Sequence, residues 1–424
     1  MWFNKVLQIF KIKQLRNSIL FVMAMFFVFR IGAHIPVPGV NTEAMKELFS
    51  QNQILGFMNL FSGGTMENFS IMALGIAPYI TASIIFQLLT MIIPKLEEIS
   101  KEEGGRQKIN RYTRYLTVPL AMLQGYAMIS LLQQSQLGII GDMSVFATVS
   151  LVTTVTAGTI FLMWIGELIS EKNIGNGVSL LIFAGIVAGL PQFVQQVAFT
   201  FDRDQLFTIL LYAAIALITV VGVVTINEAQ RNIPVSYARR VRGTRMYGGM
   251  DTHLPLRVNM AGVIPIIFAI AIVIFPPTIA RFFLNASTEW VSAAAQWTID
   301  LFQNQLFYGV LYFSLVVAFT YFYTAVIFHP DQIADNLQKQ GGFIPGIRPG
   351  RFTADYLRKV INRILLAGSL FLGMIAILPL LMQVVTGSQV LIIGGTSILI
   401  VVSVVIESVK QVESQLTMRE YEGF

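Results

Sequence analysis

Apolar residues run almost without interruption through ten stretches of the chain: 19–37, 71–93, 115–135, 147–168, 178–199, 206–226, 258–280, 306–328, 364–384 and 389–406. Each is close to the roughly 20 residues that an α-helix needs to cross the ~30 Å hydrocarbon core of a bilayer. The runs are continuous and lack the alternation of lipid-facing strands, which argues against a β-barrel. Glycine and proline within them are no obstacle, because membrane helices tolerate both. The pattern predicts an all-α integral membrane protein with ten transmembrane helices. The first run does not read as a removable signal, because it is long and its Val37-Pro38-Gly39 exit lacks a small-residue cleavage pattern.

Composition agrees with this pattern. Of 424 residues, 55% are hydrophobic and only 12% charged, against about 25% charged in a soluble domain, so a water-soluble globule is excluded. Where the charge lies says more than the net +6. The N-terminal segment, the loops after spans 2, 4, 6 and 8, and the tail hold 25 of the 29 Lys and Arg residues. The opposite loops hold only Lys46, Arg203 and Arg281. Basic loops stay inside, so both termini are expected in the cytoplasm. Ten spans divide five and five at Phe201–Asp204, and an odd number per half makes the second half enter from the other side, the arithmetic of an inverted repeat. The expected organisation is a half of residues 1–200, a half of 201–408 with basic loops 227–257 and 329–363, and a tail of 409–424.

Several kinds of chemistry drop out. There is no cysteine, and His34, His253 and His329 lie far apart in sequence, so neither metal nor redox chemistry is expected. No G-x-x-x-x-G-K-[ST] occurs, so energy has to come from a partner. Arg30 is the one charge well inside a span, near enough to Pro36 to snorkel outward, and no proton relay is visible. The expectation is a non-enzyme without cofactor. An inverted-repeat secondary solute transporter is the alternative, counted against by the near absence of charge inside the spans. A membrane-embedded enzyme would need an acid–base or metal set that the sequence does not offer.

Residues 55–68 break the simple bundle. As a helix they would rise about 21 Å, too little to cross, leaving an interfacial helix or a re-entrant piece sheltered inside protein, where Gly63-Gly64 backbone is tolerated. Ser83, Gln87 and Thr90 fall at i, i+4 and i+7 in span 2, with Gln124 in span 3 and Asn259 in span 7. Such groups ordinarily glue helices together.

Six motifs, in order, resemble one family: Arg30-Ile31-Gly32 followed by Ile35-Pro36-Val37-Pro38-Gly39; Ala73-Leu74-Gly75-Ile76-Ala77-Pro78-Tyr79-Ile80-Thr81-Ala82-Ser83; Ile174-Gly175-Asn176-Gly177; Phe183-Ala184-Gly185-Ile186-Val187-Ala188-Gly189-Leu190-Pro191; Val258-Asn259-Met260-Ala261-Gly262-Val263-Ile264-Pro265; and Pro345-Gly346-Ile347-Arg348-Pro349-Gly350. From first span to last the chain is similar to the bacterial SecY protein-translocation channels. The resemblance implies two inverted five-helix halves arranged as a clamshell, passing unfolded secretory chains across the plasma membrane and releasing transmembrane segments sideways. It makes 55–68 a re-entrant plug, with Phe57, Leu60, Phe61, Gly63 and Gly64 in it. It assigns the pore ring to Ile76, Ile80, Ile182, Ile186, Ile267 and Ile400, of which the first two pairs share helix faces by i, i+4 spacing. Without it, an isoleucine in a membrane helix faces lipid or packs a core. A ring of this kind bars water and ions by dewetting.

The resemblance also implies a lateral gate between spans 2 and 7, formed by Thr81, Ser83, Gln87, Gln124, Asn259 and Phe275, where ordinary helix packing is the plainer reading. Arg231, Arg240, Arg242, Arg348 and Arg351 become partner-binding residues, whereas basic loops otherwise fix topology or meet anionic lipid. Arg348 stands out on a tip stiffened by Pro-Gly on both sides. The implied partners are SecE, SecG, the SecA ATPase, the ribosome, a signal peptide or nascent secretory chain, and membrane lipid.

Overall fold

The computed structural model describes residues 12–45, 59, 62, 64–102, 104–134, 139, 144–199, 206–237, 240–242, 245–247, 251–284, 288–386 and 395–422. Each apolar run carries a helix, and the differences lie at the ends. The helices are α1 (Lys13–Ala33), α2 (Ala77–Ile92), α3 (Pro94–Lys101), α4 (Gly105–Gln134), α5 (Val145–Ser170), α6 (Gly177–Phe199), α7 (Leu206–Glu228), α8 (Ile264–Phe282), α9 (Glu289–Gln303), α10 (Gln305–Ile327), α11 (Pro330–Lys339), α12 (Arg351–Thr386) and α13 (Gly395–Glu422). Among the described residues seven helices are long and apolar enough to cross a membrane, or eight if α2 and α3, bent by 104°, form one span. A shorter apolar helix covers Gly177–Pro191.

Among the described residues, α2 and α8 start later than their apolar runs. Residues 71–76 are turn rather than helix, because Gly75 takes φ +57 and Pro78 sits in the first turn of α2, where its missing N–H costs nothing. Gly262, at φ +61, likewise delays α8. Others run past theirs: α12 begins at Arg351 and α13 continues to Glu422, both extending polar turns beyond the apolar segment.

The basic loops after spans 6 and 8 are themselves folded, which hydropathy did not specify. β1 (Gln230–Tyr237) pairs antiparallel with β4 (Asp251–Arg257), from Gln230 opposite Arg257 to Ser236 opposite Asp251. Between them β2 (Arg240–Arg242) and β3 (Arg245–Tyr247) form a separate two-stranded sheet. The far edge of β1 takes β5 (Gly342–Phe343), pairing Ser236 with Phe343 and Tyr237 with Gly342. The order β4-β1-β5 thus joins the two loops into one sheet. Ile233, Val235 and Leu256 from that sheet bury against Ile344, Leu357, Val360 and Ile361. The last three fall on one face of α12, which explains why the helix persists outside its apolar run.

By packing, the chain forms two compact units, Met1–Leu211 with Ile270–Tyr308 and Val404–Phe424, and Tyr212–Ala269 with Gly309–Ser403. In the first unit α2, α4, α5 and α6 pack in succession, with α1 against α5 and α6. Its core contains Phe69, Leu74, Ala121, Ile129, Leu132 and Val155. There too Gln415 of α13 donates a 2.7 Å hydrogen bond to the Asn173 carbonyl, and the Lys172 ammonium lies 4.7 Å over the Phe21 ring. The second unit holds the sheet and its core.

Candidate functional site

The segment leading into α2 is irregular yet tightly bonded. Asn59 and Glu67 brace each other: the Glu67 backbone N–H donates to Asn59 Oδ1 and Asn59 Nδ2 donates to Glu67 Oε2, both at 3.0 Å. The Ser62 hydroxyl donates to the Asn59 carbonyl at 2.9 Å, and the Thr65 hydroxyl to the Ser62 carbonyl at 2.9 Å. Ser62, Thr65 and Ser70 are buried, so these bonds replace the water that irregular backbone otherwise needs. Phe69 is buried at φ 39, a left-handed conformation costing a non-glycine residue about 1–3 kcal/mol. Its carbonyl accepts from the Val37 N–H at 3.0 Å, and Ile71 N–H donates to Ile35 at 3.0 Å, tying the segment to the exit of α1. Backbones come very close here. A Cβ on Gly158 of α5 would meet the Ile71 carbonyl oxygen at 1.9 Å, and one on Gly75 would meet Ser62 Cα at 2.9 Å. Of the five plug residues named from the sequence, Gly64 is described, at φ +78. Phe57, Leu60, Phe61 and Gly63 lie outside the described residues.

All six isoleucines assigned to a pore ring are buried: Ile76 at 4% exposure, Ile80 8%, Ile182 1%, Ile186 4%, Ile267 6% and Ile400 0%. Ile76 caps α2 and accepts the Ile80 N–H at 3.1 Å, so this pair shares one helix face. Ile182 and Ile186 repeat the spacing on α6. These four belong to the first unit, while Ile267 at the start of α8 and Ile400 on α13 belong to the second.

Several polar residues of the spans bond to groups nearby. The Thr81 hydroxyl donates to Ala77 of its own helix at 3.0 Å, and Gln87 Nε2 donates to the Ser83 hydroxyl at 3.3 Å. The buried Gln87 Oε1 has no hydrogen-bond partner among the described residues. Gln124 and Phe275 are half-buried, Phe275 just ahead of Pro276-Pro277 inside α8. Asn259, 7% exposed, donates from Nδ2 to Asn227 Oδ1 at 2.7 Å and to the Gly262 carbonyl at 3.2 Å. Asn227 in turn donates to the Ser403 hydroxyl at 2.7 Å. Asn227 and Ser403 were not legible as a site, since single polar residues at the end of α7 and within α13 carry no motif.

Arg348 is exposed on a tip held from both sides. Gly346 at φ +81 and Gly350 at φ +89 turn the chain, Ile344 and Ile347 anchor in the core of the sheet, and the Thr353 hydroxyl donates to the Arg348 carbonyl at 3.0 Å. Arg351 opens α12 and Arg231 lies on β1, both exposed. Arg240 and Arg242 sit on β2, where the register sets Arg242 opposite Arg245. Around α3, Lys101 pairs with Glu97 at 2.6 Å and Lys108 with Glu102 at 2.9 Å. The Lys101 hydrogen bond holds the Glu97 carboxyl below the usual range, and the Glu102 hydrogen bond raises the Lys108 ammonium. Both pairs are exposed and add little stability.

The SecY family model matches residues 70–409. The chain belongs to the SecY family. It is 46% identical to the protein translocase subunit SecY of Mycobacterium bovis over 431 residues, covering 97% of each chain. It is 45% identical to that of Halalkalibacterium halodurans, covering 100% of this chain and 99% of the relative. Among solved structures it is similar in fold to a protein-conducting channel, at TM-score 0.62 and 16% identity over 93% of this chain and 91% of the other. A second, studied for how the SecY plug domain stabilises the closed state, gives TM-score 0.61 at 17% identity with the same coverage. A third is Sec61 in a canine ribosome–channel complex, at TM-score 0.62 and 16% identity, again with that coverage. As a SecY protein the chain is a multi-pass membrane protein and the protein-conducting channel subunit of the Sec translocase.

Proposed function

We propose that this subunit sits in a bacterial plasma membrane with both termini in the cytoplasm. Its two five-span halves, 1–200 and 201–408, pass unfolded secretory chains between them and release transmembrane segments sideways into lipid. Ile76, Ile80, Ile182, Ile186, Ile267 and Ile400 form the barrier, residues 55–68 the plug, and the seam of spans 2 and 7, with Thr81, Ser83, Gln87, Gln124, Asn259 and Phe275, the lateral gate. The observation that carries this reading is that all six isoleucines are 8% exposed or less, aliphatic groups withdrawn from the surface on four different helices. An apolar constriction excludes water and ions by dewetting yet yields to side chains of varied size.

The exposed tip of Arg348, with exposed Arg231 on β1 and Arg351 at the start of α12, supports an anionic partner on the basic side. The SecA ATPase and the ribosome fit that role, with SecE and SecG as membrane partners and a signal peptide as the opening ligand. Ribosomal phosphate would bind with a salt-sensitive affinity. Replacing Ile80, Ile186 and Ile400 together with asparagine tests the barrier. Resting ion conductance in planar bilayers is expected to rise, and conductance unchanged from the parent protein would remove these residues from the ring.

A further inference from the structure

Asn227, Asn259 and Ser403 form a hydrogen-bonded chain that joins α7, the entry to α8 and α13 inside the second unit. Ser403 interrupts the apolar run Leu399-Ile400-Val401-Val402 and Val404-Val405-Ile406, while Asn227 is half-buried at the polar end of α7, after Ile226 and before exposed Glu228. Ser403 is 6% exposed and Asn259 7%. With both ends buried, the polar chain is held in one arrangement by its own bonds, since Ser403 and Asn259 each lose a partner if a helix shifts. Two ring residues hang from its ends. Ile400 lies three residues before Ser403, on the adjoining face of the same helix. Ile267 lies in the first turn of α8, whose entry is closed by Asn259 bonding the Gly262 carbonyl at 3.2 Å. The chain is also incomplete: Asn259 Oδ1 is buried with no partner among the described residues, so this amide can take a new donor once α8 moves.

We propose that Asn227 and Ser403 are positioning residues for the closed channel. Through Asn259 they hold the entry of α8 to α7 and α13 and so set where Ile267 and Ile400 stand. Asn227 is the hub, accepting from Asn259 and donating to Ser403. This rests on the ring described above, and its consequence is specific: loosening the chain raises leak through the resting channel without touching a ring residue.

The test uses the intact complex in planar bilayers, with thermal stability measured in parallel. Ser403→Ala removes one oxygen and leaves the packing volume almost unchanged, while Asn227→Leu removes the hub. Each is expected to raise the resting open fraction about 3- to 30-fold, the equivalent of one interhelical hydrogen bond in a membrane. The double variant should leak no more than Asn227→Leu alone, because among the described residues the Ser403 hydroxyl bonds Asn227. Unchanged leak in both single variants, lower thermal stability with no added leak, or independent multiplying effects would each overturn the proposal. The ring variant Ile80→Asn/Ile186→Asn/Ile400→Asn runs alongside. If it leaks and the latch variants do not, the latch alone fails; if it does not leak either, the ring falls and the latch with it.

Discussion

Gly158→Ala is the sharpest single-atom perturbation of the junction that leads into α2. The added methyl carbon would lie 1.9 Å from the Ile71 carbonyl oxygen, 2.8 Å from its carbonyl carbon and 3.2 Å from Met72 Cα. Contact distances are about 3.5 Å, so α5 and the 71–76 segment must part by more than about 1 Å. Neither side yields as a flexible side chain would, because the atoms met are backbone. Overpacking of this kind costs about 1–3 kcal/mol. Helix propensity works in the other direction, favouring alanine over glycine by about 1 kcal/mol. Gly189→Ala isolates that second effect, since nothing lies within 4 Å of a Cβ there. Thermal unfolding of the purified complex is expected to place Gly158→Ala below Gly189→Ala by the full overpacking cost. Resting conductance should rise for Gly158→Ala alone, because the displaced segment ends at Ile76. Equal midpoints for the two alanine variants would refute the close approach of α5 to Ile71 and the reasoning built on it.

Single cysteines can be placed without background, since the chain has none. At Ser50 or Asn285 an impermeant reagent added outside should label, and at Gly243 it should not; the reverse pattern inverts the topology. Arg348→Glu should block secretion with the protein still folded and inserted, because the arginine is exposed and its tip is held by other residues; normal secretion would reduce Arg348 to a solvated loop charge, and Lys108→Glu serves as the control. A disulfide between Thr81→Cys and Phe275→Cys should stop export until reduced, whereas full export through the locked form would make spans 2 and 7 ordinary packed neighbours.

Hydropathy located the long apolar helices because burial in lipid needs a continuous apolar run; it missed α9, and it failed where backbone conformation rather than polarity decides. Residues 71–76 are as apolar as the helix they precede, yet the positive φ of Gly75 keeps them out of it; Gly75 and Pro78 were the readable cue. The sheet escaped notice because β5 is two residues long and lies about a hundred positions from its partner β1, with Pro234 inside β1 obscuring the strand pattern. The α12 extension was readable in principle, since Leu357, Val360, Ile361 and Ile364 recur at helical spacing outside the span. The motifs around Ile76, Ile186, Asn259 and Arg348 carried the site assignments. Asn227 and Ser403 did not, because their meaning lies in a contact between segments 176 residues apart.

The central claim is that a polypeptide crosses through the ring of isoleucines. A secretory chain stalled midway by a folded C-terminal domain, with a photo-crosslinker at Ile80 or at Ile400, measures this most directly. Both positions are expected to crosslink to the stalled chain, and a crosslinker at Leu217 of α7, 66% exposed, is expected to label only lipid or a neighbouring subunit. Crosslinks from Leu217 with none from Ile80 and Ile400 would contradict the account.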